Sequence, residues 1–259
     1  MIGAVPHPIT RVREGERSEM EDLVAREFLF TLVVNGQELV TLACTPAALL
    51  EFTVGFLAAE GLITRIAEIT SLEIDEQGGL GRVEIDRPDL SVEELRHTAT
   101  RTSGCGRGLT FRQHRSFLEL EPVCSSLRLP AAQVPSLIRS MEQQSTLFRA
   151  TGAVHSAALC TAEEVLVVQE DIGRHSALDK LVGAAWLQGL PMEDKVVLSS
   201  GRITAEMITK VARQRIPVVV SRCAPSDLAV RYAQGLELTL VGFARGRRMN
   251  IYSRADRIV

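Results

Sequence analysis

The feature that most constrains the fold is the regular alternation of strand-like and helix-like segments after Cys124. Short apolar runs predict strands at 155–160, 165–168, 196–198, 218–220 and 238–241. Helical periodicity predicts helices at 134–141, 178–185, 207–211 and 228–233. Because alternating strands and helices pack in layers through right-handed crossovers, we expect a three-layer α/β domain with largely parallel central strands. Residues 249–252 are expected to pair at an edge of this sheet.

The chain before Cys124 has a different pattern, with shorter elements. Asn35 and Gly36 predict a tight β-hairpin between strands at 28–34 and 39–42, and Gly61 ends a helix that begins at Pro46. Further short elements are expected at 72–74, 82–85 and from Ser91, with Glu94 as capping partner. We therefore divide the chain into a flexible N-terminal arm (1–20), a small α+β domain (21–125) and the α/β domain (126–259).

Composition narrows the class of protein. The chain has 259 residues and a net charge of -3 with both signs well mixed, so we expect no nucleic-acid partner. No segment is apolar enough for a signal sequence or a bilayer span, so we expect no membrane partner and a cytoplasmic location. Five cysteines without paired or metal-ligand spacing argue against a disulfide framework and against a metal site.

One cysteine has unusual neighbours. Cys105 lies among Gly104, Gly106 and Gly108, between Arg101 and Arg107. Glycines allow several N–H groups to point at one place, and positive charge favours the thiolate over the thiol, so this segment suits a reactive sulfur. A glycine turn with an incidental cysteine is the alternative interpretation.

Three polar loops are expected at the carboxyl ends of strands, where the binding crevice of such a sheet forms. In the segment 170–175, His175 is a candidate proton carrier or anion donor, or a structural residue at the start of a helix that Ser176 and Asp179 cap. Lys180 is expected on the helix surface.

The other two loops suit phosphate. Ser200, Gly201 and Arg202 offer hydroxyl, N–H and guanidinium donors at a helix start, with ordinary N-capping as the alternative. The last loop follows the final buried strand and groups three arginines around a glycine, in the order Phe243, Ala244, Arg245, Gly246, Arg247, Arg248. Guanidinium groups grip phosphate oxygens bidentately, so we expect this loop to bind a diphosphate rather than form a solvated charge run.

Two enzyme classes lack their motifs here. Zinc deaminases need His-x-Glu and Pro-Cys-x-x-Cys, but Ser156 and Ala157 follow His155, and Cys223 has no partner three residues away. A thioredoxin-type dithiol is absent as well, because Gly108 stands three residues after Cys105. Chemistry that needs one thiol remains.

The ordered set of motifs resembles the formate dehydrogenase accessory sulfurtransferase family (FdhD/NarQ) from about Asp22 to Ile258. The shared residues are Asn35 and Gly36; Gly55, Phe56, Leu57, Glu60 and Gly61; Thr102, Ser103 and Cys105; Thr151, Gly152 and His155; Glu170 to His175 with Ala177, Asp179 and Lys180; Ser200, Gly201 and Arg202; Ala224, Pro225 and Ser226; and Gly242 to Arg248 with Asn250, Ile251 and Tyr252.

The resemblance implies a cytidine-deaminase-like fold in the C-terminal domain and a role as a persulfide carrier. Such a protein accepts sulfur from a cysteine desulfurase and passes it to the bis-guanine-dinucleotide molybdenum cofactor, bis-molybdopterin guanine dinucleotide, for formate dehydrogenase or a related molybdoenzyme. Cys105 would carry the sulfur, and Phe243 to Arg248 would contact the guanine dinucleotide. The resemblance also implies a homodimer. Because the zinc motifs are absent, we expect no structural zinc.

Gly108 departs from the family pattern, because members commonly carry a second cysteine at that place. One sulfur suffices for a carrier, but no second thiol can resolve the persulfide within this loop. A chaperone that binds the cofactor without transferring sulfur is therefore an alternative function, and a nucleotide deaminase-type enzyme is a third.

Overall fold

The structure is a computed structural model, and it describes residues 2–87, 91–93, 95, 99–101, 109–111 and 119–259. The helices are α1 (Leu49–Glu60), α2 (Val134–Gln144), α3 (Thr146–Thr151), α4 (Arg174–Leu187), α5 (Ala205–Arg213) and α6 (Asp227–Gly235). The first eight strands are β1 (Ala4–Arg13), β2 (Glu16–Ala25), β3 (Phe28–Val34), β4 (Gln37–Cys44), β5 (Ile69–Asp75), β6 (Leu80–Ile85), β7 (Ala99–Arg101) and β8 (Leu109–Phe111). The others are β9 (His155–Cys160), β10 (Val165–Asp171), β11 (Val196–Ser199), β12 (Val218–Ser221), β13 (Thr239–Arg245) and β14 (Arg248–Ser253).

A six-stranded sheet forms the C-terminal half, in the order β10-β9-β11-β12-β13-β14. Its central strands β11, β12 and β13 are parallel, whereas β9, β10 and β14 each run antiparallel to a neighbour. Every predicted strand of this half is confirmed, including the edge strand at 249–252. The parallel part is narrower than expected, because β9 and β10 form an antiparallel pair joined by a short turn.

Alternate residues of the buried strands face two separate apolar clusters. Ala157 and Leu159 pack with α4 and α5, whereas Ala158 and Cys160 pack with α2. A strand buried on both faces needs helices on both sides. The three-layer α/β arrangement is therefore confirmed, with α2 on one face and α4, α5 and α6 on the other.

The N-terminal half contains a second, four-stranded sheet in the order β4-β3-β6-β5. The predicted hairpin is confirmed, since Asn35 and Gly36 both have positive φ (48° and 73°), as a type I′ turn requires. Helix α1 ends at Gly61 as predicted, but it begins at Leu49 rather than at Pro46. Near the predicted helix at Ser91, Val92, Glu93 and Leu95 are helical, while Glu94 lies outside the described residues.

The expectation of a loose arm at 1–20 is wrong. Strands β1 and β2 pair over ten positions, from Ala4 with Ala25 to Arg13 with Glu16. Their turn uses Glu14 and Gly15, both at positive φ. Pro6 and Pro8 are two residues apart, so their missing N–H groups fall on the same side of the strand, which an edge strand tolerates.

Helix α1 connects the two halves by packing directly on α4. A Cβ added at Gly55 would lie 1.7 Å from the carbonyl oxygen of Asp179, and one added at Gly183 would lie 1.9 Å from that of Glu51. Only glycine permits this approach of two helix backbones. One apolar cluster extends from β3 and α1 through α4 to α6, and the domain boundary at residue 125 stays a prediction.

Candidate functional site

The candidate site lies at the edge of the six-stranded sheet where β11, β12 and β13 end. Ser199 pairs with Ser221 on the neighbouring parallel strand and with Ala157 on β9. His155 pairs with Asp171, so the start of β9 and the end of β10 lie at this same edge. We call this the carboxyl edge. The expectation that the polar loops meet at one edge is correct.

The loop after β11 is fixed against β9. The Ser200 hydroxyl accepts a hydrogen bond from the Ser156 N–H (2.9 Å) and lies 3.3 Å from His155 Nδ1. Helix α5 begins later, after Thr204, so ordinary N-capping by Ser199 or Ser200 does not occur. A Cβ at Gly201 would lie 3.0 Å from Arg174 Cβ and 3.2 Å from His155 Nδ1. The absence of a side chain at Gly201 lets these groups converge.

The segment 170–175, predicted to be a polar loop between a strand and a helix, is mostly part of those two elements. Glu170 and Asp171 belong to β10, and α4 begins at Arg174 with Gly173 as its N-cap residue. The predicted capping box of Ser176 and Asp179 is therefore wrong, because both residues lie inside the helix.

His175 lies in the first turn of α4, with its side chain 16% exposed. Its Nε2 is 3.1 Å from Thr204 Oγ1 and 3.5 Å from Glu206 Oε2. Burial, followed by the nearby charges of Lys210 and Arg174, lowers the pKa of His175 well below its usual value. The neutral imidazole is thus favoured at neutral pH, as a hydrogen-bonding group rather than a cation.

Positive charge concentrates at the carboxyl edge. Burial lowers the pKa of His155, and the guanidinium groups of Arg174 and Arg202 lower it further. Arg174 is buried, with 8% of its surface exposed, whereas Arg202 is exposed. A cationic surface of this kind suits an anionic ligand such as a phosphate.

The segment Phe243–Arg248 comprises the end of β13, the last buried strand, and the hairpin turn into β14. Phe243 has a positive φ (52°) and its N–H donates to the Cys223 carbonyl (3.1 Å), while Arg245 Nε donates to the Arg222 carbonyl (2.8 Å). Ala244 is buried in the α2 cluster. These contacts hold the start of the hairpin at the carboxyl edge, and the exposed Gly246, Arg247 and Arg248 form its turn and far side.

Cys105 and its loop lie outside the described residues, as do all residues from 102 to 108. The strands on either side pair with each other, Arg101 with Leu109, so the connection begins and ends at adjacent backbone positions. The role of Cys105 stays a prediction.

The other cysteines differ in their environments. Burial raises the pKa of Cys44 and of Cys160 to about 12, so both thiols are protonated and inert at neutral pH. Cys124 is exposed. Cys223 is half-buried, and its Sγ donates to the Ser200 carbonyl (3.3 Å) at the carboxyl edge. The sequence analysis did not include this thiol in the site, because only the residues after it, Ala224 to Ser226, belong to a recognised motif.

Near the carboxyl edge lies a buried ionic network. The prediction that Lys180 lies on a helix surface is wrong. The Lys180 ammonium is fully buried, 2.6 Å from the Asp171 carboxylate, and donates to the carbonyl and hydroxyl oxygens of Thr45. Lys210 is buried beside Asp179, at 2.8 Å from each carboxylate oxygen, and 3.0 Å from Glu60. The network joins α1, α4 and α5, and its Lys210 lies near His175.

Within the described ranges, no three side chains of the His, Cys, Asp and Glu types are grouped as a metal ion requires. None of the helices that the structure describes is both long and apolar enough to cross a bilayer.

Comparison with known proteins matches residues 25–259 to the FdhD/NarQ family. A sulfur carrier protein FdhD from Bacillus subtilis is 37% identical over 96% of this chain and 95% of its own length. One from Listeria monocytogenes is 39% identical over 96% and 97%. A crystal structure described as a formate dehydrogenase accessory protein from Desulfotalea psychrophila is 29% identical, covers 99% of both chains and superposes with a TM-score of 0.80. The chain therefore belongs to the FdhD/NarQ family.

Proposed function

We propose that this protein is a cytoplasmic sulfur carrier that serves the maturation of formate dehydrogenase or a related molybdoenzyme. The observation that carries the proposal is the full-length likeness to relatives named sulfur carriers, two of them at 37% and 39% identity. The cysteine chemistry agrees with it. Cys44 and Cys160 are inert, whereas the glycines and Arg107 that flank Cys105 in the sequence favour a reactive thiolate.

The loading step requires only one thiol. The Cys105 thiolate attacks the terminal sulfur of a persulfide on a cysteine desulfurase, a new S–S bond forms on Cys105, and the desulfurase thiolate leaves. One sulfur atom moves and no external oxidant or reductant is needed. The absence of a second cysteine at position 108 therefore does not prevent loading.

The recipient of the sulfur is proposed to be the bis-guanine-dinucleotide molybdenum cofactor, bound as cargo. Its diphosphates are anions, and the carboxyl edge presents Arg174, Arg202 and the neutral His155 to such a group. Ser200 and Gly201 contact His155, and Gly201 also lies against Arg174. Arg245 to Arg248 extend the cationic surface along the hairpin. These residues fit a dinucleotide by charge and by their supply of donors.

Gly108 favours a second candidate function, a chaperone that binds this cofactor and transfers no sulfur. The two functions differ in whether Cys105 is needed. In a Bacillus subtilis strain that lacks its own sulfur carrier, the wild-type protein should restore formate dehydrogenase activity and Cys105→Ser should not. Cys124→Ser is the matched control, because Cys124 is exposed and near in sequence. Restoration by Cys105→Ser would favour the chaperone.

We also propose a homodimer, in which the β1–β2 hairpin contacts a second copy of the chain. Isolated two-stranded hairpins are marginal in water, yet this hairpin projects with exposed apolar side chains on both strands: Val12 (61%), Met20 (37%), Leu23 (40%) and Val24 (42%). It carries both charge signs, so two copies are complementary. Light scattering should find a dimer that the double variant Leu23→Asp/Val24→Asp disrupts. The control variant Leu228→Asp changes an exposed side chain on α6 and should leave the dimer intact.

A further inference from the structure

The imidazole of His175 meets two groups through the same nitrogen. Its Nε2 lies 3.1 Å from the hydroxyl of Thr204 and 3.5 Å from Oε2 of Glu206. Thr204 is the N-cap residue of α5, but its hydroxyl makes no capping hydrogen bond and lies against the imidazole instead. Glu206 follows in the first turn of α5, and only 4% of its side chain is exposed. Two side chains from the start of one helix therefore face one atom of His175.

The carboxylate of Glu206 decides which nitrogen of the imidazole carries the proton. A neutral imidazole has one N–H, and a hydroxyl can accept from that N–H or donate to a bare nitrogen, so Thr204 selects neither tautomer. An ionised carboxylate only accepts hydrogen bonds. Among the residues that the structure describes, none donates a hydrogen bond to Oε2 of Glu206. A proton on Nε2 of His175 supplies a donor to this buried oxygen, which favours the Nε2–H tautomer.

The other nitrogen of His175 is then a bare acceptor. Nδ1 makes no hydrogen bond to any residue described by the structure. The two nitrogens of an imidazole point in diverging directions, so Nδ1 is directed away from Glu206, and 16% of the side chain is exposed. Burial, followed by the positive charges of Lys210 and Arg174, lowers the pKa of His175, so Nδ1 stays unprotonated at neutral pH.

This acceptor stands among donors at the carboxyl edge. Arg174 precedes His175 in α4 and lies against Gly201, and Arg202 lies near His155. Guanidinium groups only donate hydrogen bonds, whereas a bare imidazole nitrogen accepts them. The carboxyl edge therefore offers the pattern that holds an anionic group and a neighbouring N–H donor of one ligand.

We propose that Glu206 is a positioning residue, which holds neutral His175 in the Nε2–H tautomer so that Nδ1 accepts a hydrogen bond from an N–H group of the cargo. The inference rests on the proposed function for the identity of the cargo, whose pterin and guanine rings both carry N–H groups. It gives His175 the role of a neutral acceptor, in place of the anion donor or proton carrier expected from the sequence.

Nitrogen NMR of the full-length protein, isotope-labelled at histidine, tests the tautomer at neutral pH. The wild type should show a protonated Nε2 and a bare Nδ1 at His175, whose signals are identified by their loss in His175→Gln. A protonated Nδ1 would overturn the inference. Glu206→Gln should mix the two tautomers, because an amide can donate to Nε2 as well as accept from it. An unchanged tautomer in this variant would show that Glu206 does not position the ring.

A matched control separates this contact from a general loss of buried charge. Glu60→Gln removes the other glutamate that pairs with Lys210, at 3.0 Å, and should leave the Nε2–H tautomer unchanged. The same mixture of tautomers in Glu60→Gln and Glu206→Gln would assign the effect to the charge network, against the positioning role.

Ligand titrations of the labelled wild type test the acceptor. GDP and neopterin monophosphate are added separately, and the Nδ1 signal of His175 should shift with the compound that supplies the donor. A shift with GDP assigns the donor to the guanine end of the cargo, and a shift with neopterin monophosphate assigns it to the pterin end. No shift with either compound would overturn the acceptor role.

Complementation separates a neutral acceptor from a cationic donor. In the Bacillus subtilis strain that lacks its own sulfur carrier, at equal levels of soluble protein, His175→Gln should retain about tenfold more formate dehydrogenase activity than His175→Lys, because only glutamine keeps an acceptor. The reverse order would overturn the inference. Arg231→Ala is the control, because Arg231 is exposed on α6 and pairs with Asp227. If the wild type restores no activity, the proposed function fails, and the NMR spectrum still decides the tautomer of His175.

Discussion

The Lys180 ammonium lies 2.6 Å from the Asp171 carboxylate, and neither side chain has any exposed surface. Asp171 ends β10 at the carboxyl edge and also accepts hydrogen bonds from the N–H and hydroxyl of Thr45, at 2.9 and 3.1 Å. One buried ion pair therefore ties the end of β4 to the sheet that carries the site.

Removing one partner of this pair leaves the other charge buried alone. Lys180→Met should lower the free energy of unfolding by about 3–5 kcal/mol, the usual cost of breaking a buried pair. Urea unfolding measures it. The double variant Lys180→Met/Asp171→Asn should recover part of the loss, because the orphan carboxylate is gone. The exposed ion pair between Arg231 and Asp227 supplies the control. Arg231→Ala should change the free energy of unfolding by less than about 0.5 kcal/mol. A comparable small change for Lys180→Met would show that the pair is not buried as described.

The contact between α1 and α4 predicts a second stability effect. Gly183→Ala places a Cβ 1.9 Å from the Glu51 carbonyl, so the helices must separate, at a cost of more than about 3 kcal/mol. Gly152→Ala is the comparison: its Cβ meets open space and only the positive φ (66°) is unfavourable, which costs about 1 kcal/mol. Thermal or urea unfolding of both variants checks the order. Equal losses would contradict the close approach of the two helices.

The carboxylates around Lys210 predict a pH dependence of stability. Burial raises the pKa of Asp179 from 3.8 to about 7. The positive charge of Lys210 opposes this rise, and the negative charges of Glu60 and Glu206 add to it. Between these two values the folded protein binds more protons than the unfolded chain. Stability from this group is therefore full below about pH 4 and is lost as the pH rises through about 7, by at most about 1.4 kcal/mol per pH unit.

Asp179→Asn cannot titrate, so it isolates this effect. The stability difference between wild type and Asp179→Asn should decrease as the pH rises from 5 to 8, measured by urea unfolding in steps of pH. His175, whose pKa is lowered, acts in the opposite direction by losing stability below about pH 6.5, but it is present in both proteins and cancels. A difference that stays constant with pH would mean that Asp179 is ionised throughout this range.

Sequence patterns predicted the helices and strands well, but they predicted the burial of charged side chains poorly. Apolar periodicity located β9 and β11 within one residue, because strands buried on both faces are continuous apolar runs. Lys180 follows a helical pattern that, taken locally, indicates a solvated face. Its burial comes from contacts with Thr45 and with Phe52 on α1, more than a hundred residues earlier, which no local pattern contains.

The site was predicted only in part, again because local patterns do not contain long-range contacts. The carboxyl edge followed from the order of strands, and Ser200 and Gly201 do lie there with His155. Cys223 and Arg222 were missed, because Cys223 meets Ser200, and Arg245 meets Arg222, through hydrogen bonds from a side chain to a backbone carbonyl that is distant in sequence. The pairing of β1 with β2 was missed as well, since the prolines and charges of that segment are typical of an unstructured arm. The register in which the two strands pair was not considered.

In the proposed function, Cys105 carries the sulfur. The most direct measurement is the intact mass of the protein after incubation with a cysteine desulfurase and free cysteine, with Cys105→Ala, Cys124→Ala and Cys223→Ala in parallel. The wild type, Cys124→Ala and Cys223→Ala should each gain the mass of one sulfur atom, reversed by a thiol reductant, and Cys105→Ala should gain none. Equal loading of Cys105→Ala and the wild type would contradict it.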